Sequence, residues 1–398
     1  AFSGLQGNRV LNYLKLRAGY ATAANFPAPY LTRPTLTIST NDFVTRPGGV
    51  VNSNTISTFL ANPNLKPELL AEFEAGVESK LLNNRFTIDF TWYNRKSTNQ
   101  ILNRPLDPST GYEISTINAG DLTNRGIELG LGLTVIKSKN LTWQLDGNFS
   151  RNRSKVSNLP AEIPQVQTGG LFSNTGNFAI NGQPFGIIKG NVWQKDPKTG
   201  QRIVGPDGYY IQSTESVIIG DPNADYKLSG ISTLSYKGFE FRMQWDYTKG
   251  GVIYATSVNA LFVRGLAKAT DVDRSIAIVL PGVKQDGTPN DYQTSIDRAY
   301  FNTYSGAAEQ FLYNATVVRL REVSLSYSLP QSVINKTPFG AVSFIISGQN
   351  LWHKAPYFPE GSNYDPESSS GGVGKTRGFE FVTGPQVRKF GATLKVTF

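Results

Sequence analysis

Apolar and polar residues alternate with a period of two in many separate stretches of this chain. Along residues 86–93, phenylalanine, isoleucine or tryptophan at each even position alternates with threonine, aspartate or tyrosine. Along residues 127–135, isoleucine, leucine or valine at each odd position alternates with glutamate, glycine or threonine. Strict alternation is typical of a β-strand with one apolar and one polar face. The pattern therefore predicts an all-β protein.

The alternation predicts about ten strands, each near the roughly 9–11 residues that a tilted membrane-spanning strand requires. A change of phase near Arg321 and Glu322 predicts a β-bulge in the eighth strand. The predicted strands are Leu14–Tyr20, Phe73–Ser79, Phe86–Tyr93, Ile127–Val135, Leu141–Phe149, Tyr226–Tyr236, Phe239–Tyr247, Val317–Leu329, Val342–Ile346 and Phe390–Phe398.

The sequence ends in a well-patterned strand whose apolar positions are Phe390, Ala392, Leu394, Val396 and Phe398. A β-barrel loses its last free edge only when its final strand pairs with its first. We therefore predict that these residues belong to a barrel-closing strand. Its partner is either Leu14–Tyr20 or a strand outside this sequence.

Short and long connections alternate strictly between the predicted strands. The short ones are 82–85, 137–140, 236–239 and 330–340, and the long ones are 21–69, 96–122, 154–225, 249–315 and 350–387. In an up-and-down sheet this order puts every short turn at one end and every long loop at the other. Outer-membrane barrels have this asymmetry, with short periplasmic turns and long external loops. We expect an antiparallel transmembrane β-barrel rather than a soluble sandwich.

Acidic residues recur on the polar face of the predicted strands. They are Glu72, Glu74, Glu78, Asp89, Glu128, Asp146, Glu240 and Asp246. In a barrel whose apolar face meets lipid, the polar face lines a hydrated lumen. We therefore expect these eight side chains to face the lumen.

Composition narrows the function classes. The net charge is +9, but lysine and arginine are scattered, so the charge favours contact with lipid headgroups and not with nucleic acid. The chain has no cysteine and one histidine, His353, which leaves few residues for catalysis or for metal binding. No stretch approaches the ~20 apolar residues of a membrane-spanning helix. We predict no enzyme activity, no metal and no cofactor.

The long loops are rich in aromatic residues, which stack on sugars and pack against peptide side chains. Their alternative roles are an interfacial aromatic girdle or packing of one loop against another. The substrate-contact candidates are Tyr30, Tyr112, Trp193, Tyr209, Tyr210, Trp352 and Tyr357.

Several motifs together resemble the C-terminal part of the SusC/RagA family of TonB-linked outer-membrane transporters. They occur in the order of the family and span nearly the whole chain. They are NPNLKPELLAEFEAGVE from residue 62, FTWYNRKSTNQIL from 90, NAGDLTNRGIELGL from 118, GQPFGIIKGNVWQKD from 182, VVRLREVSLSYSLP from 317 and ISGQNLW from 346.

The resemblance implies an importer of oligosaccharides or peptides in the outer membrane of a Gram-negative, Bacteroidetes-like bacterium. It implies a plugged barrel of the 22-stranded kind, a SusD-like surface lipoprotein over the loops, and energy supplied by TonB through an N-terminal region. That plug and the first half of the barrel are not in this sequence. Residues 1–398 are therefore expected to form the C-terminal part of the barrel with its external loops.

An alternative is a passive outer-membrane pore, formed by a smaller barrel of about ten strands that closes on itself. The sequence leaves open the substrate, the identity of the lipoprotein, the oligomeric state and whether Ca²⁺ orders the loops.

Overall fold

Ten long strands form one antiparallel sheet in which each strand pairs with the next long strand along the chain. The computed structural model describes residues 8–38, 43–44, 46–51, 54–172, 175–362, 364–372, 374, 376–384 and 386–398. The strands are β1 (Leu11–Asn25), β2 (Glu68–Leu81), β3 (Phe86–Thr98), β4 (Asp121–Lys137), β5 (Leu141–Ser157), β6 (Tyr226–Tyr236), β7 (Phe239–Lys249), β8 (Val317–Ser328), β9 (Ala341–Lys354) and β10 (Lys389–Thr397). The predicted all-β fold and its ten strands are confirmed.

The registers of neighbouring strands keep the two faces separate across the sheet. Leu131 lies opposite Ile88 on one side and Gly147 on the other, while Gly130 lies opposite Asp89 and Asn148. The apolar side chains are therefore in line with one another, and so are the polar ones. We call these two surfaces the apolar face and the polar face.

Two of the four short connections are tight turns with residues of positive φ. Leu82, Asn83 and Asn84 all have positive φ between β2 and β3, a conformation that asparagine tolerates well. Lys237 and Gly238, at φ 46 and 89, form the two-residue turn between β6 and β7. The connection between β8 and β9 is longer and contains a single helical turn, α3 (Gln331–Ile334).

The five long connections contain small elements of their own. We call them loop 1 (26–67), loop 2 (99–120), loop 3 (158–225), loop 4 (250–316) and loop 5 (355–388). Loop 1 contains Leu36–Ile38, Phe43–Val44, Val50–Val51, Asn54–Ile56 and Phe59–Leu60, and loop 2 contains Ile101–Pro105, Pro108–Thr110 and Ile114–Asn118. Loop 3 contains Gln165–Phe172, Thr175–Ile180, Ile187–Gly190, Ile203–Val204 and Val217–Gly220. Loop 4 contains Val252–Ala255, α1 (Thr256–Val263), Lys268–Thr270, Ile278–Val279, Val283–Lys284, Gln293–Thr294, α2 (Arg298–Ser305), Ala308–Phe311 and Leu312–Asn314, and loop 5 contains Phe379–Glu380.

The buried apolar residues lie mainly in the long loops and not beneath the sheet. One cluster joins loops 3, 4 and 5 around Phe379, which is fully buried, and its members are Ile188, Ile253, Tyr254, Ala255, Val258, Ala308, Phe311, Tyr364 and Phe379. A second cluster joins Trp193, Val204 and Tyr210 of loop 3 to Leu280 and Ala307 of loop 4. Loops 3, 4 and 5 therefore form one packed body, which we call the loop cap.

The first and last strands of the described sheet each pair on one side only. β1 pairs with β2, and β10 pairs with β9, from Ala341 opposite Thr397 to Gln349 opposite Lys389. The self-closing pore requires Phe390–Phe398 to pair with Leu14–Tyr20, and the described residues do not form that pairing. Phe398 lies one residue beyond β10, and its ring centroid is 5.5 Å from that of Phe339.

Within the part of the chain that the structure describes, no helix is both long enough and apolar enough to cross a membrane.

The apolar face predicts an asymmetry between neighbouring substitutions in β4. Leu131→Arg should destabilise the barrel by about 2–4 kcal/mol, because it places a charge at the lipid side near mid-strand. Gly130→Arg should cost less, because a Cβ there points to the polar face and meets Asn148 at an ordinary 3.5 Å. Gly132→Arg is a poorer control, since its Cβ would lie 2.5 Å from Thr87 Oγ1. Urea unfolding in lipid vesicles measures the difference, and equal losses for Leu131→Arg and Gly130→Arg would contradict the facing of this strand.

Candidate functional site

All eight predicted acidic residues lie on the polar face of the sheet. A row of directly opposed positions crosses six strands through Glu78, Asp89, Gly130, Asn148, Ser229 and Asp246. The other five acids are an even number of residues from that row on their own strands, and they are Glu72, Glu74, Glu128, Asp146 and Glu240. That this face lines a lumen stays a prediction.

Three of these acids form ion pairs with arginine on the same face. Arg17 lies 2.6 Å from Asp89, and Arg95 lies 2.8 Å from Glu72 in a two-pronged contact. The third acid, Asp246, pairs with Arg321. The Arg17–Asp89 pair is partly exposed on both sides, so it contributes little to stability. The polar face therefore carries charges of both signs. Such a surface can hold water or contact a polar solute.

Four of the seven aromatic candidates are accessible in their loops. Tyr30 and Tyr357 are 74% and 52% exposed, and Tyr112 is partly exposed. Tyr209 is also partly exposed, and its hydroxyl lies 3.2 Å from Asp297 Oδ1, to which it donates a hydrogen bond. These four remain candidates for substrate contact.

The other three aromatic candidates are corrected by the structure. Trp193 and Tyr210 are buried, with 1% and 7% exposure, because they form the second cluster of the loop cap beneath the Arg202 guanidinium. Trp352 lies in β9 and not in a loop. It is on the apolar face, with its ring centroid 6.0 Å from that of Trp245. Trp193 and Tyr210 therefore pack one loop against another, while Trp352, 42% exposed on the apolar face, fits the girdle alternative that sequence analysis left open.

A cluster of charges that sequence analysis did not identify joins loop 5 to the sheet. We call it the arginine cluster, and its members are Arg319, Arg321, Asp246, Asp365 and Glu367. Arg319 is buried and donates a hydrogen bond to Asp365, which is buried as well. The Arg321 guanidinium donates to Asp246 at 2.6 Å and to both oxygens of Glu367 at 2.8 Å.

The β-bulge explains how the arginine cluster forms. Leu320 lies opposite Trp245 and Glu322 lies opposite Gln244, so Arg321 is the extra residue in β8. The shift lets both Arg319 and Arg321 reach acids at the polar face. The predicted bulge is confirmed, and its phase change was the one signal in the sequence that marked this position.

The same arginines hold Glu367 in its charged form. Burial acts to raise the pKa of Glu367, but the hydrogen bond from Arg321 and the charges of Arg319 and Arg321 outweigh it, so the pKa lies below its ordinary value. Loop 5 is therefore attached to the sheet by a carboxylate that stays ionised at neutral pH.

Among the described residues, no three histidine, aspartate or glutamate side chains come together in a group that could hold a metal ion.

The sequence of residues 8–245 matches the family described as TonB dependent receptor-like, beta-barrel. The chain belongs to this family. A family of receptors and transporters indicates no catalytic function. This assignment agrees with the ten-stranded sheet and with the resemblance drawn from the motifs.

Individual relatives of this receptor barrel support the same conclusion. TonB-dependent receptor P3 of Formosa agariphila is 25% identical over 421 residues, covering 99% of this chain and 40% of that protein. TonB-dependent receptor SusC of Bacteroides thetaiotaomicron is 24% identical, covering 81% of this chain and 32% of SusC. The RagAB peptide transporter structure matches the fold over 100% of this chain and 42% of the other, with a TM-score of 0.71 and 20% identity. The SusC/RagA resemblance is confirmed, and this chain spans 32–42% of the length of these relatives.

The arginine cluster predicts that loop 5 depends on Asp365. Asp365→Ala should lower the free energy of opening loop 5 by about 3–5 kcal/mol, because it leaves the buried Arg319 without its closest partner. Amide hydrogen exchange of residues 355–388 measures this. The control is Glu360→Ala in the same loop, since Glu360 and its partner Lys268 are mostly exposed and their pair contributes little. Equal protection of the loop in Asp365→Ala and the unmodified receptor would contradict the assignment.

The lowered pKa of Glu367 predicts that acid loosens loop 5. The ionised Glu367 side chain stabilises the closed position of loop 5. This stabilisation is complete above the ordinary pKa of 4.5 and is lost as the pH falls through the lowered pKa of the folded state. Protection factors of loop 5, corrected for intrinsic exchange, should therefore fall as the pH is lowered below the ordinary pKa of glutamate. Glu367→Gln removes this titration, so a fall of the same size in that variant would refute the role of Glu367.

Proposed function

We propose that this chain is the C-terminal part of an outer-membrane importer that takes up oligosaccharides or peptides with energy from TonB. The observation that carries the proposal is the sheet itself. One face is polar and charged, the other is apolar, and all five long loops leave the same end. Such a wall separates lipid from a hydrated passage and presents a ligand-binding surface at one mouth.

The greater length of the relatives supports the view that this chain is part of a longer polypeptide. Nearly all of this chain aligns with TonB-dependent receptor P3, yet it covers only 40% of that protein. In the described residues, the outer edges of β1 and β10 are unpaired, as expected of strands that continue into a larger barrel. We therefore assign residues 1–398 to the barrel and its external loops. The plug and the remaining strands belong to the rest of the protein.

The loop cap suits a binding surface that keeps its shape. Loops 3, 4 and 5 share the cluster around Phe379, and Glu380, which is buried, accepts hydrogen bonds from the Ser257 N–H at 2.8 Å and the Ser257 hydroxyl at 2.6 Å. A SusD-like lipoprotein would lie over this end of the barrel. One relative is named SusC and one structural neighbour is described as the RagAB peptide transporter.

Each surface of the barrel has a role in the proposed transport. The apolar face meets the lipid of the outer membrane, and the eight acidic residues face the passage. The accessible aromatic rings Tyr30, Tyr112, Tyr209 and Tyr357 contact the substrate at the loop end. The relatives from Formosa and Bacteroides support an outer membrane of the Bacteroidetes type.

Deletion of the TonB-contacting segment from the complete polypeptide tests the proposal. We expect uptake of the cognate nutrient by cells to fall to the level of a strain that lacks the transporter, because no pulling force reaches the plug. A protonophore should abolish uptake by the intact transporter in the same way. Undiminished uptake by a deletion variant that reaches the membrane in normal amounts would show that import does not depend on TonB.

A further inference from the structure

A cleft with apolar walls lies between helix α1 and loop 5. Its volume is ≈ 370 Å³, which is in the range of sites for small ligands. Two exposed apolar side chains line it, Leu261 of the helix at 36% exposure and Val382 of the loop at 60%. Apolar side chains held open to solvent around a concave surface mark a place where an apolar group of a ligand can bind.

Arg264 supplies a positive charge at the cleft. It follows helix α1, and its guanidinium donates a hydrogen bond to the Ala260 carbonyl at 3.2 Å. Among the described residues Arg264 has no carboxylate partner, in contrast to Arg319 and Arg321 of the arginine cluster. The guanidinium therefore keeps donors that are free for an anionic group.

The wall that carries Val382 is held in an unfavourable conformation. Val382 has φ 48, in the left-handed region that a β-branched residue rarely adopts. The Glu380 carboxylate fixes the turn, because it accepts hydrogen bonds from the N–H groups of Thr383 and Ser257. Strain of this kind persists where the surrounding structure imposes it, and it is frequent at ligand sites. Here the hydrogen bonds of Glu380 hold the turn, and Val382 lines the cleft.

The cleft lies where loop 5 meets the polar face. Asp365 lines the cleft and also pairs with Arg319, which lies opposite Asp246 on the polar face of the sheet. The Ser362 hydroxyl, which also lines the cleft, is buried without a hydrogen-bond partner within the described structure. A ligand in the cleft is therefore next to the surface assigned to the passage.

We propose that this cleft binds the C-terminal residue of a peptide, with its apolar side chain between Leu261 and Val382 and its carboxylate at Arg264. This inference rests on the proposed function, since it names the substrate class of the importer. The walls favour a peptide over an oligosaccharide. Sugar rings stack on exposed aromatic faces, and the one aromatic residue that lines the cleft, Tyr364, is only 9% exposed.

Equilibrium binding to the complete transporter in detergent tests the proposal. The probes are acetyl-Ala-Ala-Leu with a free carboxylate, the same peptide with a C-terminal amide, and maltohexaose, each measured by calorimetry. We expect the free acid to bind about tenfold more tightly than the amide, as one charge-assisted contact provides. Maltohexaose should not compete with it.

Two variants and one matched control locate the site. Arg264→Gln should weaken binding of the acid about tenfold and leave the amide unchanged, which removes the difference between them. Leu261→Ser should weaken both peptides. Lys198→Gln removes a positive charge from loop 3 outside the cleft and should retain the preference for the acid.

Equal affinity of the unmodified protein for acid and amide overturns the proposal without reference to any variant. So does competition by maltohexaose, or a preference for the acid that survives Arg264→Gln. Binding at equilibrium needs no energy, so these results are independent of the deletion experiment. If import requires TonB and the peptides fail here, only this inference is wrong. If the peptides bind as expected and the deletion leaves uptake intact, only active import is wrong.

Discussion

The fold depends on one constraint, the pairing register that continues through ten antiparallel strands. Side chains alternate between faces with a period of two, so a slip of one residue at any pair would exchange the faces of every strand beyond it. The row from Glu78 to Asp246 shows that the register is kept across six strands. The apolar face and the polar face follow from this continuity, and the common end of the long loops follows from the consecutive antiparallel order of the strands.

In β8 a change of register brings charges together. The bulge in β8 adds Arg321 between two regular pairs, at the end of the strand near the loops. Arg319 is paired by Asp365, so the cost of burying its charge is offset by an acid that comes from loop 5 and not from the sheet. Loop 5, which leads into β10, is in this way attached to the sheet as well as to loops 3 and 4.

The sheet could be predicted from the sequence, whereas the loops could not, and the reason is physical. Alternation is a local signal, and residues 127–135 reveal their two faces without knowledge of any partner. The roles of Trp193 and Tyr210 are set by Leu280 and Ala307, which are distant in the sequence and belong to another loop. An aromatic residue in a loop has no local pattern that separates packing from recognition. Trp352 is a similar case at the end of a strand. Its side chain is on the apolar face because β9 continues to Lys354, and the sequence alone did not show that the strand extends this far.

The loop cap also explains why a cleft can stay open in an apolar region. Eight buried residues of loops 3, 4 and 5 cluster with Phe379, which has no exposed surface. The Glu380 carboxylate beside it is satisfied by Ser257 and Thr383, and these bonds fix the turn that holds Val382 away from the cluster. The buried Glu380 side chain therefore fixes the turn that places Val382 at the cleft.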